Sequence, residues 1–223
     1  MARHLITTAA LLLGAGLGTA HAGTAFEYVK VVLEQNVQDQ DAEVKFEATG
    51  GKGGLTALQV KAPDGRTVVD FKTPDSRLGI RSLVLESPEP RNDGSVQADF
   101  PAGTYTFSGR SAGGEQLEGS AVLSHALPAP TRFIHPRPDA TNVAHKRLLL
   151  NWQAVHGLSA YVLVLEQEAS GREIKVNLPA NTTSFSVPAG FLRPGTEYKL
   201  AIGTVASGGN ASFIETAFVT AGK

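Results

Sequence analysis

The serine in Gly109-Arg110-Ser111-Ala112-Gly113 has the G-x-S-x-G spacing of a nucleophile elbow. In α/β-hydrolases that motif places the serine hydroxyl on a sharp turn between a strand and a helix, beside backbone amide donors. Here alternating apolar and polar runs lie on both sides, at residues 104–109 and 116–124. Two such runs around a short polar segment predict a β-hairpin. We therefore interpret Ser111 as a loop residue and not as a nucleophile.

Four histidines, His125, His135, His145 and His156, lie roughly ten residues apart. A neutral imidazole is a good ligand for zinc or copper. Metal sites usually contain a tight local pair of ligands, such as residues i and i+2 on a strand, and these four histidines contain none. We interpret them as surface or loop residues, and a metal site that uses them stays open as an alternative.

Two loops in the first half carry residue types that some binding sites use. Asp39, Asp41 and Glu43 are carboxylates, but their segment lacks the glycine and the roughly six oxygen ligands of a calcium loop, so it predicts a solvated turn. Residues 50–54 contain Lys52 among glycines, but not at the spacing of a phosphate-binding loop. We predict no catalytic, cofactor-binding or metal-ligating residue, no cofactor, and a protein that is not an enzyme.

The beginning of the chain has the pattern of a secretory signal peptide. A short basic start is followed by the apolar residues 5–17 and by Ala20-His21-Ala22, whose small residues suit a signal peptidase. The apolar run is shorter than the roughly 20 residues that a membrane-spanning helix needs. We therefore predict cleavage after Ala22, a secreted or periplasmic protein of bacterial type, and no integral membrane segment.

Composition excludes several other classes of function. The chain has no cysteine, so it can form no disulfide, thiolate nucleophile or thiolate metal site. Its formal net charge is −1 at pH 7, with both signs mixed along the chain. A near-neutral protein lacks the basic patch that binds nucleic acid, so we expect no nucleic-acid partner.

Short alternating runs predict β-strands through most of the first half. Turn residues such as Pro63-Asp64-Gly65 and Arg91-Asn92-Asp93-Gly94 separate them. One alternative stays open, because residues 25–35 also fit a short amphipathic helix. The predicted strands are residues 30–35, 42–46, 55–62, 66–71, 80–85, 104–109 and 116–124.

A proline-rich segment at residues 126–130 predicts a linker, because proline stiffens the chain and removes backbone donors. It divides the chain after the signal peptide, residues 1–22, into two parts of ordinary domain size. We predict an N-terminal β-sandwich domain at residues 23–127 and a second domain at residues 128–223.

The second part resembles fibronectin type III domains over residues 131–221. Leu148, Leu150 and Trp152 alternate toward one face, and Leu192-Arg193-Pro194-Gly195-Thr196-Glu197-Tyr198 has the pattern of a tyrosine corner. The resemblance implies a seven-stranded Greek-key sandwich, a binding or spacing role, and no catalytic residues. The expected inward-facing side chains include Tyr161, Leu163, Leu165, Val176, Leu178, Phe185, Val187, Leu200, Ile202, Phe213 and Phe218.

The first part resembles no family with a known activity, but one segment repeats the corner pattern. Pro101-Ala102-Gly103-Thr104-Tyr105 precedes an alternating run in which Phe107 and Gly109 share a face with Tyr105. We interpret the run as a late strand of an immunoglobulin-like domain. The predicted fold is therefore all-β, with two immunoglobulin-like β-sandwiches in tandem.

These observations predict an exported, non-enzymatic binding or spacer protein of the bacterial periplasm or cell exterior. It would recognise a protein or a glycan through strand edges and loops, with residues 155–159 and 205–210 as the candidate loops. Two alternatives stay open. One is an accessory or catalytic part of a polysaccharide-acting enzyme, and the other is a periplasmic metal-handling protein that uses the spaced histidines.

Overall fold

A computed structural model of the protein describes residues 24–75, 77–88 and 93–222. These residues form two compact units. The N-terminal unit contains residues 24–34 and 41–126, and the C-terminal unit contains residues 35–40 and 127–222. The predicted signal peptide, residues 1–22, lies outside the described residues. No helix in the described ranges is long and apolar enough to cross a membrane.

The N-terminal unit consists of strands and one short helix. Strands β1, β8, β7, β4 and β5 form one sheet in that order, and β2, β3 and β6 form a second. Strand β1 runs parallel to β8, whereas the pairs β7–β8, β4–β7, β4–β5 and β3–β6 are antiparallel. The elements are β1 (Thr24–Ala25), β2 (Tyr28–Asn36), β3 (Asp41–Thr49), β4 (Leu55–Lys61), β5 (Thr67–Lys72), β6 (Ser82–Glu86), α1 (Asp93–Asp99), β7 (Gly103–Ser111) and β8 (Gln116–Leu123).

Alternation along β7 places every second side chain in the core. The ring of Phe107 meets that of Phe26 edge-on, with centroids 6.4 Å apart. The ring of Tyr105 lies 5.6 Å from that of Phe46, which belongs to the other sheet. Glycine is needed at position 109, because a Cβ there would lie 2.7 Å from Cζ of Phe26. These contacts join the two sheets into a sandwich.

The C-terminal unit is a second sandwich with seven principal strands. Strands β14, β11 and β9 form one sheet, and β13, β12, β15 and β16 are consecutive in the other, where the short β10 runs parallel to β16. This order is the predicted Greek key. The elements are β9 (Phe133–His135), β10 (Ala140–Val143), β11 (Leu149–Trp152), β12 (Ala160–Gln167), β13 (Arg172–Pro179), β14 (Ser184–Ser186), β15 (Glu197–Val205) and β16 (Ala211–Thr220), with a 3-10 turn at Glu168–Ser170.

Aromatic side chains dominate the core of the C-terminal unit. Trp152 is 1% exposed and meets Tyr161 edge-on, with ring centroids 5.7 Å apart. The rings of Tyr198 and Phe218 stack at the same separation, 5.7 Å. Trp152 is therefore the buried anchor that the alternation of its strand predicts. The remaining buried members of this cluster are Phe133, Val143, Leu148, Leu150, Leu163, Leu165, Val187, Leu192, Leu200, Ile202 and Ile214.

Both predicted tyrosine corners are present. The hydroxyl of Tyr198 accepts a hydrogen bond from the backbone N–H of Arg193 at 2.8 Å and donates to the carbonyl oxygen of Phe191 at 3.3 Å. The hydroxyl of Tyr105 donates to the carbonyl oxygen of Pro101 at 3.1 Å. Each unit therefore fixes the entry of a late strand with a side chain that bonds back to the preceding loop.

The strand predicted at residues 30–35 is present as part of β2, and the alternative of a helix over residues 25–35 is excluded, because their backbone pairs with neighbouring strands. One local expectation is wrong. The turn expected around Gly94 belongs instead to α1. In that helix Val96 is 2% exposed and its carbonyl oxygen accepts the N–H of Phe100 at 2.8 Å, so packing outweighs the low helix propensity of glycine.

Candidate functional site

Two loops of the C-terminal unit meet at one end of its sandwich. Residues 155–159 lie between β11 and β12, and residues 205–210 extend from the last residue of β15 to the start of β16. The Ser159 hydroxyl is 3.1 Å from the carbonyl oxygen of Val205 and 3.0 Å from that of Ala206. The N–H of Ser159 also donates to the carbonyl oxygen of Val205 at 2.8 Å. We call these two segments the loop pair.

Core residues and glycine turns hold the loop pair in shape. The N–H of Val155 donates to the buried hydroxyl of Tyr161 at 2.8 Å. The N–H of Gly209 donates to the carbonyl oxygen of Ala206 at 2.9 Å, with Gly209 at a φ of 91° that favours glycine. Between these anchors Ser207 and Gly208 are exposed. The loop pair is therefore a supported surface with an accessible tip.

Each unit also has edge strands, which pair on one side only among the described strands. In the C-terminal unit one of them is β13, which pairs with β12 over its whole length, from Arg172 to Pro179. In the N-terminal unit one of them is β5, which pairs with β4. The outer edge of such a strand offers backbone donors and acceptors to an extended peptide. Charged side chains on β13, such as Arg172 and Lys175, oppose uncontrolled pairing.

Ser111 lies at the end of β7, in the hairpin that its sequence context predicts. It is 5% exposed, and its hydroxyl oxygen accepts the N–H of Glu115 at 3.1 Å. The same hydroxyl lies 3.5 Å from Oε2 of Glu115. Strand β8 follows it, where a nucleophile elbow requires a helix. Ser111 therefore organises a turn.

The glycine-rich loop, residues 50–54, lies beside this hairpin. The N–H of Ala112 donates to the carbonyl oxygen of Gly54 at 3.0 Å. Both segments line a cavity of about 320 Å³. The structure therefore brings together two motifs that the sequence presents separately, because the strands that carry them, β4 and β7, are neighbours in one sheet.

The structure places the four histidines in unrelated environments. Nε2 of His125 lies 2.8 Å from the carbonyl oxygen of Phe100, at the end of β8. His135 is exposed on β9, opposite Asn151 of β11. His156 is exposed in the loop pair, and His145 is half-buried before β11. Among the described residues, no three histidine or carboxylate side chains gather as metal ligands.

The three acidic residues Asp39, Asp41 and Glu43 do not form one solvated turn: only Asp39 lies in the turn, whereas Asp41 and Glu43 belong to β3, and the expectation is wrong for these two. Oδ2 of Asp39 accepts a hydrogen bond from Nδ2 of Asn36 at 3.0 Å. Glu43 is 5% exposed and lies 3.6 Å from the ammonium group of the buried Lys45. Position i, i+2 on one strand brings these two side chains to the same face. The i, i+2 spacing of Glu43 and Lys45 is visible in the sequence, but the burial of the face they share could not be inferred from β3 alone.

Lys45 is the centre of a charged network in the N-terminal unit. Its Nζ lies 2.9 Å from Oε1 of Glu86 and 3.1 Å from Oε2 of Glu34. Burial by itself lowers the pKa of Lys45, but the attraction of Glu34, Glu86 and Glu43 outweighs it and holds the pKa above its ordinary value. The ammonium group therefore stays charged and neutralises part of the surrounding acidity.

A second cavity, of about 390 Å³, lies in the C-terminal unit beside the 3-10 turn. Among its lining residues, Lys199 pairs with Glu168 at 2.9 Å. Partial burial, together with the negative charges of Glu173 and Glu168, raises the pKa of the neighbouring Glu166. The dominant charge at this end of the unit is negative, and Lys199 offsets part of it.

The fold of this chain is similar to those of several solved structures. The chain is similar to a two-domain fibronectin type III segment of chicken tenascin, with 14% identity, 87% of this chain and 99% of that chain covered, and a TM-score of 0.34. It is also similar to fibronectin(III)-like modules of Clostridium thermocellum CbhA, with 9% identity and a TM-score of 0.36. That similarity covers 92% of this chain and 94% of the CbhA chain. No family model matches the chain, and no curated protein matches it.

Proposed function

We propose that the protein is an exported, non-enzymatic binding or spacer module of the bacterial periplasm or cell exterior, which recognises a protein or a glycan. Fibronectin type III-like sandwiches are commonly modules of this kind, but the fold alone does not identify a partner. The proposal therefore depends on a particular surface of the molecule. That surface is the loop pair of the C-terminal unit.

The bonds of Ser159 to Val205 and Ala206 carry the proposal. They tie two loops from different parts of the chain into one surface, and the Tyr161 hydroxyl anchors it to the core. Exposed loops on a rigid sandwich bind partners at little cost in ordering. The exposed edge of β13 offers a second kind of contact, through backbone hydrogen bonds.

Ser111, the main candidate for a catalytic nucleophile, is better explained as part of a turn. The Ser111 hydroxyl bonds within its own turn, and its hydrogen bonds to the described residues involve Glu115 and no histidine. A serine nucleophile needs an adjacent general base that is itself oriented by a third group. The arrangement around Ser111 therefore favours a structural role for this residue.

The test is retention of a partner on immobilised protein, residues 23–223, from periplasmic and envelope extract. The decisive variant is Gly208→Arg, since a Cβ at this position meets nothing within 4 Å and the fold should tolerate it. The matched control is Ala189→Arg, which adds the same side chain to an exposed site between β14 and β15.

We expect wild type and Ala189→Arg to retain the same protein or glycan, and Gly208→Arg to lose most of it. Circular dichroism establishes that both variants are folded. Equal retention by Gly208→Arg would show that the loop pair is not the contact surface. A folded wild-type protein that retains nothing would contradict the binding role.

A further inference from the structure

Strand β8 has one fully paired edge and one edge that is open over its second half. It pairs with β7 along its whole length, whereas β1 covers only Leu117 and Glu118 on the other side. The N–H of Phe26 donates to the carbonyl oxygen of Glu118 at 3.3 Å. At the next residue the chain leaves β8, because the N–H of Glu27 donates to Thr49 of the other sheet. Among the described residues, no strand pairs with β8 beyond Glu118 on this side.

The open part of β8 offers backbone hydrogen-bonding groups beside an exposed apolar side chain. The carbonyl oxygen of Glu118 faces β1, and backbone groups alternate in direction along a strand. The N–H and C=O groups of Ser120 and Val122 therefore face the same edge. The side chain of Val122 is 66% exposed, the highest fraction of any large hydrophobic residue that the structure describes.

Other edge strands of the protein have features that oppose pairing between copies. Strand β13 carries Arg172 and Lys175, and β5 carries Asp70 and Lys72. Strands β9 and β14 are only three residues long. Charges and short length are common means by which proteins prevent edge-to-edge association. Residues 119–124, at the open part of β8, contain neither a charge nor a proline, so this edge lacks such protection.

We propose that this open edge pairs with the same edge of a second copy of the chain. The two strands run antiparallel across a two-fold axis at Val122, so that Val122 lies opposite its equivalent and Ser120 lies opposite Ser124. This register brings no two like charges opposite each other, and the two valines bury surface that is exposed in a single chain. An axis nearer to Glu118 would place the second strand where β1 lies.

The dimer is expected to be weak. Pairing over about five residues of each copy buries less surface than a standard protein–protein interface, so we expect a Kd of about 0.1 mM. The contact uses the N-terminal unit and does not depend on the loop pair. A dimer carries two loop pairs, so it can bind a repetitive partner more tightly than a monomer does. Only this last consequence rests on the proposed function.

Sedimentation equilibrium of the chain, residues 23–223, tests the pairing. We expect a monomer–dimer equilibrium between about 0.01 and 1 mM protein. Val122→Lys should weaken association about tenfold, because it brings two ammonium groups opposite each other. Thr67→Lys is the matched control, since it adds the same charge at an exposed position of β5, the other edge strand of this sheet, and should leave the dimer unchanged.

Opposite charges test the two-fold axis itself. An equimolar mixture of Val122→Lys and Val122→Glu should associate more strongly than either variant alone, because the axis places the two side chains opposite each other. Circular dichroism establishes that each variant is folded. A mixture that associates no better than its components would contradict an axis at this position.

Disulfide trapping tests the register. The chain has no cysteine, so a single introduced thiol can bridge only to its equivalent in a second copy. Residues that pair directly have Cα atoms about 5.5 Å apart, a separation that a disulfide spans, so Val122→Cys should form a covalent dimer in mild oxidant. Ser120→Cys is the control, because its two copies would lie about 13 Å apart along the strands, too far for a disulfide.

Three further results would overturn the proposal. One is a monomer at every concentration up to about 1 mM. Another is equal dimerisation of the wild type and Val122→Lys, and the third is equal trapping of Val122→Cys and Ser120→Cys. If Val122→Lys does not fold, the two cysteine variants still decide between these outcomes. A monomer that retains its partner through the loop pair would refute the pairing and leave the proposed function untouched.

Discussion

The two units arrange their strands in the same order but stabilise them with different chemistry. In each unit a sheet of three strands faces a sheet in which four consecutive strands follow the same succession, β5, β4, β7, β8 in one and β13, β12, β15, β16 in the other. The C-terminal unit fills its core with Trp152, Tyr161 and Tyr198. The N-terminal unit has no tryptophan, and it buries an ion network around Lys45.

The same topology therefore accommodates strands with two different burial patterns. In β11 of the C-terminal unit, the buried residues Leu150 and Trp152 alternate with the more exposed Leu149 and Asn151. In β3 of the N-terminal unit, seven consecutive residues are buried, and three of them are charged: Glu43, Lys45 and Glu47. Buried charges persist only when they are paired. Variants in the two regions should therefore fail for different reasons.

The largest effect is expected from Trp152→Ala. The side chain is 1% exposed and packs against Tyr161, so its removal should leave a cavity and cost about 3–5 kcal/mol of unfolding free energy. Because the substitution also removes the only tryptophan, circular dichroism in urea is the suitable measurement. A loss below about 1 kcal/mol would mean that Trp152 is not the core anchor.

Lys45→Met should produce the next largest effect, in the other unit. It keeps most of the side-chain volume but leaves Glu34, Glu43 and Glu86 without their shared cation, at a cost of about 3 kcal/mol. Lys72→Met is the matched control, because Lys72 is 75% exposed and its pair with Asp70 contributes at most about 1 kcal/mol. Similar midpoints in urea for both variants would refute a structural role for the network.

Alkaline pH should destabilise the N-terminal unit. Burial is the main cause that raises the pKa of Tyr28 and Tyr105 from 10.0 to about 12, with Glu47 contributing at Tyr28. A raised pKa favours the protonated form in the folded state, so this stability is fully present below pH 10 and is lost between about pH 10 and 12. The raised pKa of Lys45 acts in the same direction.

Each tyrosine should account for about 3 kcal/mol of this loss. Absorbance titration of phenolate formation measures the raised pKa on which the loss depends, and two of the four tyrosines belong to this unit. The Tyr105→Phe variant should lack one of the late-titrating groups. Ionisation of both Tyr28 and Tyr105 near pH 10 in the folded protein would contradict the prediction.

Variants of the two tyrosine corners should lose the least unfolding free energy. They also give the most direct comparison of the two units, because the same substitution is made in each. Tyr198→Phe removes a hydroxyl with two backbone partners and should cost about 1–2 kcal/mol. Tyr105→Phe removes a hydroxyl with one backbone partner and should cost about 1 kcal/mol. Urea denaturation of both variants gives the ranking. A larger loss for Tyr105→Phe would show that the number of partners does not set the contribution of a corner.

The sequence predicted the sandwich fold because its signals are local. Alternation around Leu150 and Trp152, and the spacing of Tyr105 and Tyr198 from their loops, can be read without knowledge of distant residues. Helix α1 was missed because the burial of Val96 is a tertiary effect that overrides a turn-like sequence. The same limit applies to the buried face of β3.

The candidate sites were predicted only in part. Residues 155–159 and 205–210 were identified as loops, but the bonds of Ser159 that join them depend on pairing between β12 and β15. The cavity beside Ser111 could not be predicted, because it needs residues from three distant segments of the chain. Neither the glycine-rich loop, residues 50–54, nor the segment around Ser111 has the spacing or context of a known site. The sequence therefore gave no indication that the two lie side by side.

Site-specific photo-crosslinking in living cells tests the central claim, that the loop pair is the contact surface, most directly. A benzophenone amino acid is placed at Gly208 in one strain and at Ala189 in another, both exposed positions of the C-terminal unit. We expect irradiation to yield a discrete adduct from position 208 and none from position 189. Equal adducts from both positions, or an adduct from position 189 alone, would contradict the assignment of binding to the loop pair.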